Sequence, residues 1–470
     1  MGDIRVIAVD IGASSGRLIS GTYDGEKIIL QEQYRFTNQP VEILDSCYWD
    51  YLKIIQEIKN GLIYSEHNLE KIDSLSVDSF GVDYGILAEN GKIIQAPYSY
   101  RDNRALNYLS VFKQNVTAEE LFKLTGTKLD PINTIVQLFA DLQLNSSLKA
   151  QIDKIIFMPN LIKYFLSGQQ SVEYTIASTS GLLDCNTRKV NEKLCAKLDF
   201  NPTWFDNVET SDLGYLKDKA KLCLKSNIKV LNGVGHDTAA ALISLPVDQA
   251  DWTKTAFISC GTWSIVGTQT NQPIISKEAF EAGITNEGCQ GQKNRILKNI
   301  TGLWIIQELQ REWENQGEKI SFNEMTLLAK QAKEIKSRLD LTGSDFVFAG
   351  DMEERIYKYL QKTKQVLPKN KAELLRIVYE SLASSYAEII RELERITGRK
   401  FEDVYMFGGG IQNKFLVSLT EKYTKKSIKL GAVEASVLGN IVDQLEILGA
   451  ITAENKKSVL NKTYQKLRGE

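Results

Sequence analysis

Histidine is nearly absent from this chain, with two residues, His67 and His236, among 470. The six cysteines (Cys47, Cys185, Cys195, Cys223, Cys260 and Cys289) include no C-x-x-C pair. With so little histidine beside them they give no basis for a structural zinc site. No apolar run approaches the roughly 18 residues that a membrane span needs. Charge of one sign is not in excess either. Lys and Arg number 57 against 59 Asp and Glu, so the formal net charge is −2. That leaves no global field to draw in nucleic acid or an anionic membrane, and no basic cluster is interleaved with aromatics as a nucleic-acid module would require. A phosphorylated ligand would have to be held by local backbone geometry. The opening "MGDIRVIAVD" sets Asp3, Arg5 and Asp10 around a short apolar run, unlike a secretory leader. Val6 stands where myristoylation would need Ser or Thr. Scattered thiols without an export signal point to the reducing cytoplasm, which makes the N-x-S/T triplets at Asn115, Asn145 and Asn461 accidental.

What is present is ordinary soluble material, 43% hydrophobic and 25% charged. The length exceeds what one core organises, so two domains, or three, are expected. Three consecutive strands read from "IRVIAVDIGASSGRLISGTYDGEKIILQEQYRF", and a hairpin from "VDYGILAENGKIIQA", where Asn90-Gly91 suits a tight primed turn. Between them "WDYLKIIQEIKNGLIYSE" has helical spacing, with Leu52, Ile54, Ile55, Ile58 and Leu62 on one side. Near "SLPVDQADWTK" both periodicities break at Pro246. The opening grammar then returns in "TAFISCGTWSIVGTQT", which aligns Asp10 with Ser259, Gly12 with Gly261 and Ala13 with Thr262. Such a repeat implies a duplicated α/β domain whose two turns face each other across a cleft, divided as 1–244 and 245–470. Later, "NKAELLRIVYESLASSYAEIIRELERITG" reads as a long core helix with Asn370 and Glu373 in capping-box spacing and Gly398 as its stop. The tail after Ala450 reads as a solvated surface helix.

Four segments could carry chemistry. "DIGASSGR" (Asp10 to Arg17) is a turn of unhindered backbone N–H groups and hydroxyls, the kind that converges dipoles on phosphate oxygens; Asp10 at the strand end could hold Mg²⁺ through its waters. An ordinary polar hairpin would look the same, but "SCGTWS" (Ser259 to Ser264) supplies a second such turn. "MFGGGIQNKF" places Gly408, Gly409 and Gly410 between a strand and a helix, where a base or phosphate could approach the backbone; it is neither a P-loop nor a dinucleotide fingerprint, and a tight strand-to-helix turn explains it as well. The fourth is "NGVGHDTAAAL". Asp237 can cap the helix that "TAAAL" starts, an effect of about 1 kcal/mol, or it can take a proton from a substrate. The two roles are compatible.

In order along the chain, "DIGASSGR", "DSFGVDYGIL", "YRDNR", "MPNLIKYFLSG", "GHDTAAA", "SCGTWS", "TNEG", "LKNITGLW" and "GGGIQN" resemble the FGGY carbohydrate kinases from about residue 5 to about residue 445. The resemblance implies two actin/hexokinase-like domains on ribonuclease-H-like sheets, with ATP and sugar in a cleft between them. It implies Asp237 as the base, Ala13, Ser14, Ser15, Gly16, Arg17 and Thr262 at the ATP phosphates, and Gln307 with Gly408, Gly409 and Gly410 along the nucleotide. Gly81, His236, Thr238 and Asn299 would line the sugar, with Asp10 on the Mg²⁺ side. The implied reaction is ATP-dependent phosphorylation of a ketose at its terminal hydroxyl, L-rhamnulose being the expected sugar and L-fuculose or another deoxyketose the alternative. A non-catalytic ATP- and sugar-binding sensor is the alternative from another class; it could dispense with the base. The chain departs from the family at "SFGVD", where "TWGVD" is usual: Phe80 keeps an aromatic wall but loses an indole N–H. Cys260 takes a position often held by serine. Neither change removes a group the chemistry needs, and oligomeric state is not legible.

Overall fold

The computed structural model describes residues 2–205, 210–343 and 345–468. The chain divides into two compact units. Unit 1 comprises Met1–Val247, Asn271–Arg295 and Ala435–Glu470; unit 2 comprises Asp248–Thr270 and Ile296–Glu434. The chain therefore leaves unit 1 close to the expected division at 244/245 but returns to it twice.

Unit 1 is built on a sheet of β1 (Ile4–Ile11), β2 (Ser15–Tyr23), β3 (Ile28–Thr37), β4 (Ser74–Ser79), β5 (Asp212–Tyr215) and β6 (Lys229–Leu231), in the order β5-β6-β4-β1-β2-β3. β1, β2 and β3 form an antiparallel meander, and β4 lies parallel to β1, with Asp10 opposite Asp78. Val6 to Ile11 are all buried without alternation, as expected of a central strand covered on both faces. Ile7, Val9 and Ile11 join a core with Ile54, Ile58 and Leu62 of the helix Tyr51–Asn68 and with Leu161 of the helix Met158–Ser167. Leu52, expected on the buried side of the first of these helices, is 67% exposed. It follows the cap residue Asp50, where the helix has only begun to meet the sheet.

The helix Ala435–Ile447 packs against β1, β2 and β4. It also approaches the helix Asp237–Ile243 so closely that a Cβ on Gly439 would lie 1.7 Å from the Ala240 carbonyl oxygen. The final helix, Ala453–Arg468, is less solvated than its lysines suggest: Val459, Leu460, Thr463 and Tyr464 are buried, Ile28 N–H donates to Thr463 Oγ1 (3.0 Å), and Tyr464 OH donates to the Ser244 carbonyl (3.1 Å).

Unit 2 repeats the opening motif. β7 (Thr255–Cys260) and β8 (Trp263–Thr270) form an antiparallel hairpin, β9 is Lys293–Thr301, β10 (Asp403–Phe407) lies parallel to β7, and β11 (Ser427–Leu430) parallel to β10. These five strands lie in the order β9-β8-β7-β10-β11, and the strand Thr285–Cys289 adds to the sheet beside β9. Two hairpins, each with a parallel strand beside its first member, realise the repeat read from Asp10 and Ser259. The helix Lys371–Thr397 starts at Asn370, whose side chain accepts from Glu373 N–H, and stops at Gly398, φ +66°. Only half of the expected capping box forms, because Glu373 Oε2 accepts from Lys369 N–H instead of the Asn370 N–H.

Gly439→Ala gives a prediction with a counterintuitive sign. Helix propensity alone favours alanine by about 1 kcal/mol, whereas the steric clash should force the two helices apart. A net loss of about 1–3 kcal/mol is expected in urea unfolding; an unchanged or raised midpoint would show that the helices yield freely.

Candidate active site

The segment Asn232–His236 leaves β6, and the Ser79 N–H at the end of β4 donates to the Gly235 carbonyl (2.9 Å). It delivers Asp237 to the first position of the helix Asp237–Ile243. The cap belongs to the neighbouring residue: His236 Nδ1 accepts from Thr238 N–H at 3.1 Å. That bond requires the proton on Nε2, and burial together with the positive field of Arg295 holds the imidazole well below its usual pKa. His236 is therefore neutral, and its 3.2 Å approach to Asp237 Oδ1 is no ion pair, because both atoms accept from the same Thr238 N–H.

Asp237 Oδ1 also accepts from Thr238 Oγ1 at 3.1 Å. Oδ2 accepts no hydrogen bond among the described residues, and the side chain is 39% exposed. One oxygen is thus fixed and the other is open to a substrate hydroxyl, which suits a carboxylate base. Loss of surrounding water and the charge of Asp10 push its pKa up to about 6, opposed by the Thr238 bonds and by Arg295.

Two more carboxylates share this locality. Asp10 Oδ2 accepts from Arg17 Nε (3.0 Å), Arg17 Nη2 (2.7 Å) and Ser436 Oγ (3.3 Å). Asp78, wholly buried, accepts from Asn440 Nδ2 at 2.5 Å, while its Oδ1 has no partner. Burial and the charges of Asp10 and Asp237 hold Asp78 well above the usual carboxylate range. Sequence reasoning missed Asp78: its partner Asn440 is 362 residues away. It missed Arg295 likewise. That fully buried guanidinium pairs with Glu287, donates to the Gly288 carbonyl and has an unpartnered Nε.

The loop Phe80–Asp83 follows β4. A Cβ on Gly81 would lie 2.9 Å from Thr179 Oγ1. Val82 has φ +70°, a strained value for a β-branched residue and one that clusters at functional sites. The loop is pinned by Val82 N–H to Thr179 Oγ1 (3.0 Å) and by Thr134 Oγ1 to the Val82 carbonyl (2.6 Å). Phe80 is not an open wall. It is buried and stacked on Trp49 at 4.7 Å between centroids, with Tyr100 edge-on at 5.8 Å. The neighbouring indole N–H of Trp49 is taken up by buried Asp83, to which it donates at 2.6 Å. In the first turn, Gly16 serves packing: its Cβ would fall 2.2 Å from the Phe36 ring. Ser14 is exposed, with Ala13 and Ser15 half-buried beside it.

In unit 2, the turn Gly261–Thr262 meets the start of the helix Trp304–Asn315. The Thr262 carbonyl accepts from the Gly302 and Trp304 N–H groups, each at 3.1 Å, and Thr262 Oγ1 donates to Gln307 Oε1 at 3.4 Å. The three glycines differ. Gly408 (φ +87°) and Gly410 press on Cys260, where a Cβ would lie 2.9 Å from its carbonyl oxygen and 2.2 Å from its Sγ respectively. Gly409 is exposed with open space around it, whereas Gly408 is half-buried and Gly410 buried, so Gly409 is the most accessible of the three. Asn299 is exposed on β9.

Residues 5–244 match the N-terminal domain and residues 256–445 the C-terminal domain of the FGGY family of carbohydrate kinases. The chain belongs to that family and is a carbohydrate kinase that uses ATP. Curated relatives include a rhamnulokinase of Halalkalibacterium halodurans, 35% identical over 95% of this chain and 94% of the relative, and one of Bacteroides thetaiotaomicron, 30% identical over 95% and 91%. Among solved structures, a ligand-bound xylulose kinase from Lactobacillus acidophilus superposes with a TM-score of 0.80 at 15% identity over 97% of this chain and 91% of that one. Plasmodium falciparum glycerol kinase with ADP gives 0.77 at 17% over 97% and 92%. These structural likenesses carry the two-domain fold.

A pH profile tests the electrostatics. Asp237 must be ionised to accept a proton, so kcat/KM for the sugar should fall about tenfold per pH unit below about 6. The sign for stability is opposite. A carboxyl whose folded pKa is raised from 3.8 to about 6 favours the fold at low pH and loses that contribution as pH rises through this window. Asp237→Asn should therefore melt higher than wild type at pH 8 and not at pH 3.5; a lower melting point at pH 8 would contradict the assignment.

Proposed function

We propose that the protein transfers the γ-phosphoryl group of ATP to the terminal hydroxyl of L-rhamnulose, giving L-rhamnulose 1-phosphate and ADP. The relatives named rhamnulokinase cover nearly the whole chain at 30–35% identity. The observation that carries the chemistry is the Asp237 carboxylate, with Oδ1 fixed by Thr238 and Oδ2 open. The sugar hydroxyl oxygen attacks the γ-phosphorus, its bond to the ADP oxygen breaks, and the hydroxyl proton passes to Asp237 Oδ2. Because phosphoryl transfer gives a protein little covalent work, positioning and charge stabilisation dominate.

In this reading the exposed Ser14 with Ala13, Ser15, Gly16 and Arg17, together with Thr262, meets the phosphates. Gln307 and Gly409, flanked by Gly408 and Gly410, lie along the nucleotide. Gly81, neutral His236, Thr238 and Asn299 face the sugar. Arg17 and Ser436 fill Asp10 Oδ2, and among the described residues no cluster of three or more His, Cys, Asp or Glu side chains is placed to hold a metal. The residues fit a hydrated Mg²⁺ met by Asp10 through water, which would supply charge neutralisation at the phosphates. All six cysteines are free, which supports a reducing, cytoplasmic setting. Among the described residues no helix is long and apolar enough to cross a membrane.

ADP release measured across a panel of ketoses and polyols tests the reading. Sugar-stimulated turnover with L-rhamnulose preferred is expected; preference for L-fuculose would overturn the sugar, and no stimulation by any of them would overturn the kinase. Asp237→Asn should lower kcat by roughly 10²- to 10⁴-fold in a folded protein, and activity within a few-fold of wild type would remove Asp237 from the mechanism.

A further inference from the structure

The motif "MPNLIKYFLSG" forms the helix Met158–Ser167, closed by Gly168 at φ +75°. None of its residues reaches the open oxygen of Asp237, yet Lys163 is completely buried. Burying an ammonium costs several kcal/mol unless it is paired and hydrogen-bonded. Here the ammonium donates to the Gly233 carbonyl at 2.8 Å and toward Asn232 Oδ1 at 3.4 Å. Asn160, one turn earlier on the same face, donates to Asn232 Oδ1 at 2.9 Å. Lys163 thus binds the segment that carries Asp237.

The rest of that segment is held in the same manner, by side chains from distant parts of unit 1. Val234 N–H donates to Asp443 Oδ2 (2.7 Å), Gly235 N–H to Glu173 Oε2 (2.9 Å) and His236 N–H to Thr175 Oγ1 (3.3 Å). Gln290 Nε2 secures the second oxygen of Asp443 at 2.6 Å. No side chain fits at Gly233, where a Cβ would lie 2.5 Å from Asp443 Oδ2. Four successive residues before Asp237 are therefore fixed individually, two by carboxylates (buried Asp443 and half-buried Glu173) and one by a buried ammonium. Burial lowers Lys163 to about 8, while Glu173, Asp443 and Asp78 act to keep its charge. A joint that served only to fill space would be made more cheaply from apolar side chains.

We propose that Lys163, acting with Glu173 and Asp443, is a positioning residue for phosphoryl transfer, fixing the Gly233–His236 backbone and hence the direction of the Asp237 carboxylate. The inference rests on Asp237 being the base. A misplacement of about 1 Å can cost on the order of 10² in rate without altering contacts to the nucleotide. Lys163→Met keeps length and apolar volume; its kcat should fall about 10- to 100-fold, with KM for ATP within about threefold of wild type. In an Asp237→Asn background Lys163→Met should slow the enzyme no further, since the two act as one unit.

Wild-type kcat in folded Lys163→Met, or full multiplication of the two effects in the double variant, would overturn the proposal. If Lys163→Met does not fold, Glu173→Gln decides: a kcat loss of several-fold at unchanged KM for ATP supports the clamp, and wild-type kcat overturns it. The two readings fail separately. Wild-type turnover in Asp237→Asn removes the base and this inference with it, whereas a slow Asp237→Asn beside wild-type kcat in Lys163→Met and Glu173→Gln removes only the inference.

Discussion

Everything around the site answers to one electrostatic constraint: three carboxylates, Asp10, Asp78 and Asp237, influence one another in a largely dry locality. Three neighbouring negative charges cannot all persist there. The chain resolves the conflict differently at each. Asp10 is neutralised by the Arg17 fork on the adjacent strand. Asp78, opposite Asp10 on the parallel strand, is pushed toward its protonated form by burial and by Asp10. Asp237 retains partial access to water and the field of buried Arg295. Of the three, Asp237 is the one with a free oxygen open to a substrate.

A second constraint is closeness of backbone. Gly16 against Phe36, Gly233 against Asp443, Gly410 against Cys260 and Gly439 against Ala240 each leave no room for a Cβ. Phosphate-binding turns are read from glycine because bare backbone admits a ligand. In this chain most of those glycines admit protein. Gly409 is the exception among the triple, and that separation of roles within three consecutive identical residues is visible only in three dimensions.

The sequence showed much of the frame. The hairpins, the long helix with its Asn370 start and Gly398 stop, and the repeat aligning Gly12 with Gly261 were legible because they depend on residues close in sequence. The two turn glycines even make matching bonds, Gly12 N–H to the Ser15 carbonyl and Gly261 N–H to the Trp263 carbonyl, both 3.0 Å. At the site, Asp237 stood out through its position at a helix start, although the cap itself proved to be His236. Asp78 and Lys163 lie inside quoted motifs, but nothing local marked their roles, and Glu173, Asp443 and Arg295 stood in no singled-out position. Each takes its meaning from a partner or neighbour remote in sequence, and an isolated buried charge reads, in one dimension, like any surface charge.

The helix Ala435–Ile447 has a consequence for how the protein comes into being. It gives Ser436 to Asp10, Asn440 to Asp78, Asp443 to Val234, and Gln444 to both Ser74 and the Ile7 carbonyl. A ribosome makes β1 more than four hundred residues before this helix, and completes the sheet with β6 about two hundred residues before it. Until then the nascent sheet exposes the face that the helix will cover, and its carboxylates lack their final partners. A chain stalled or cut just before Ala435 would carry every assigned residue and still lack the helix that holds Asp10, Asp78 and Val234 in place.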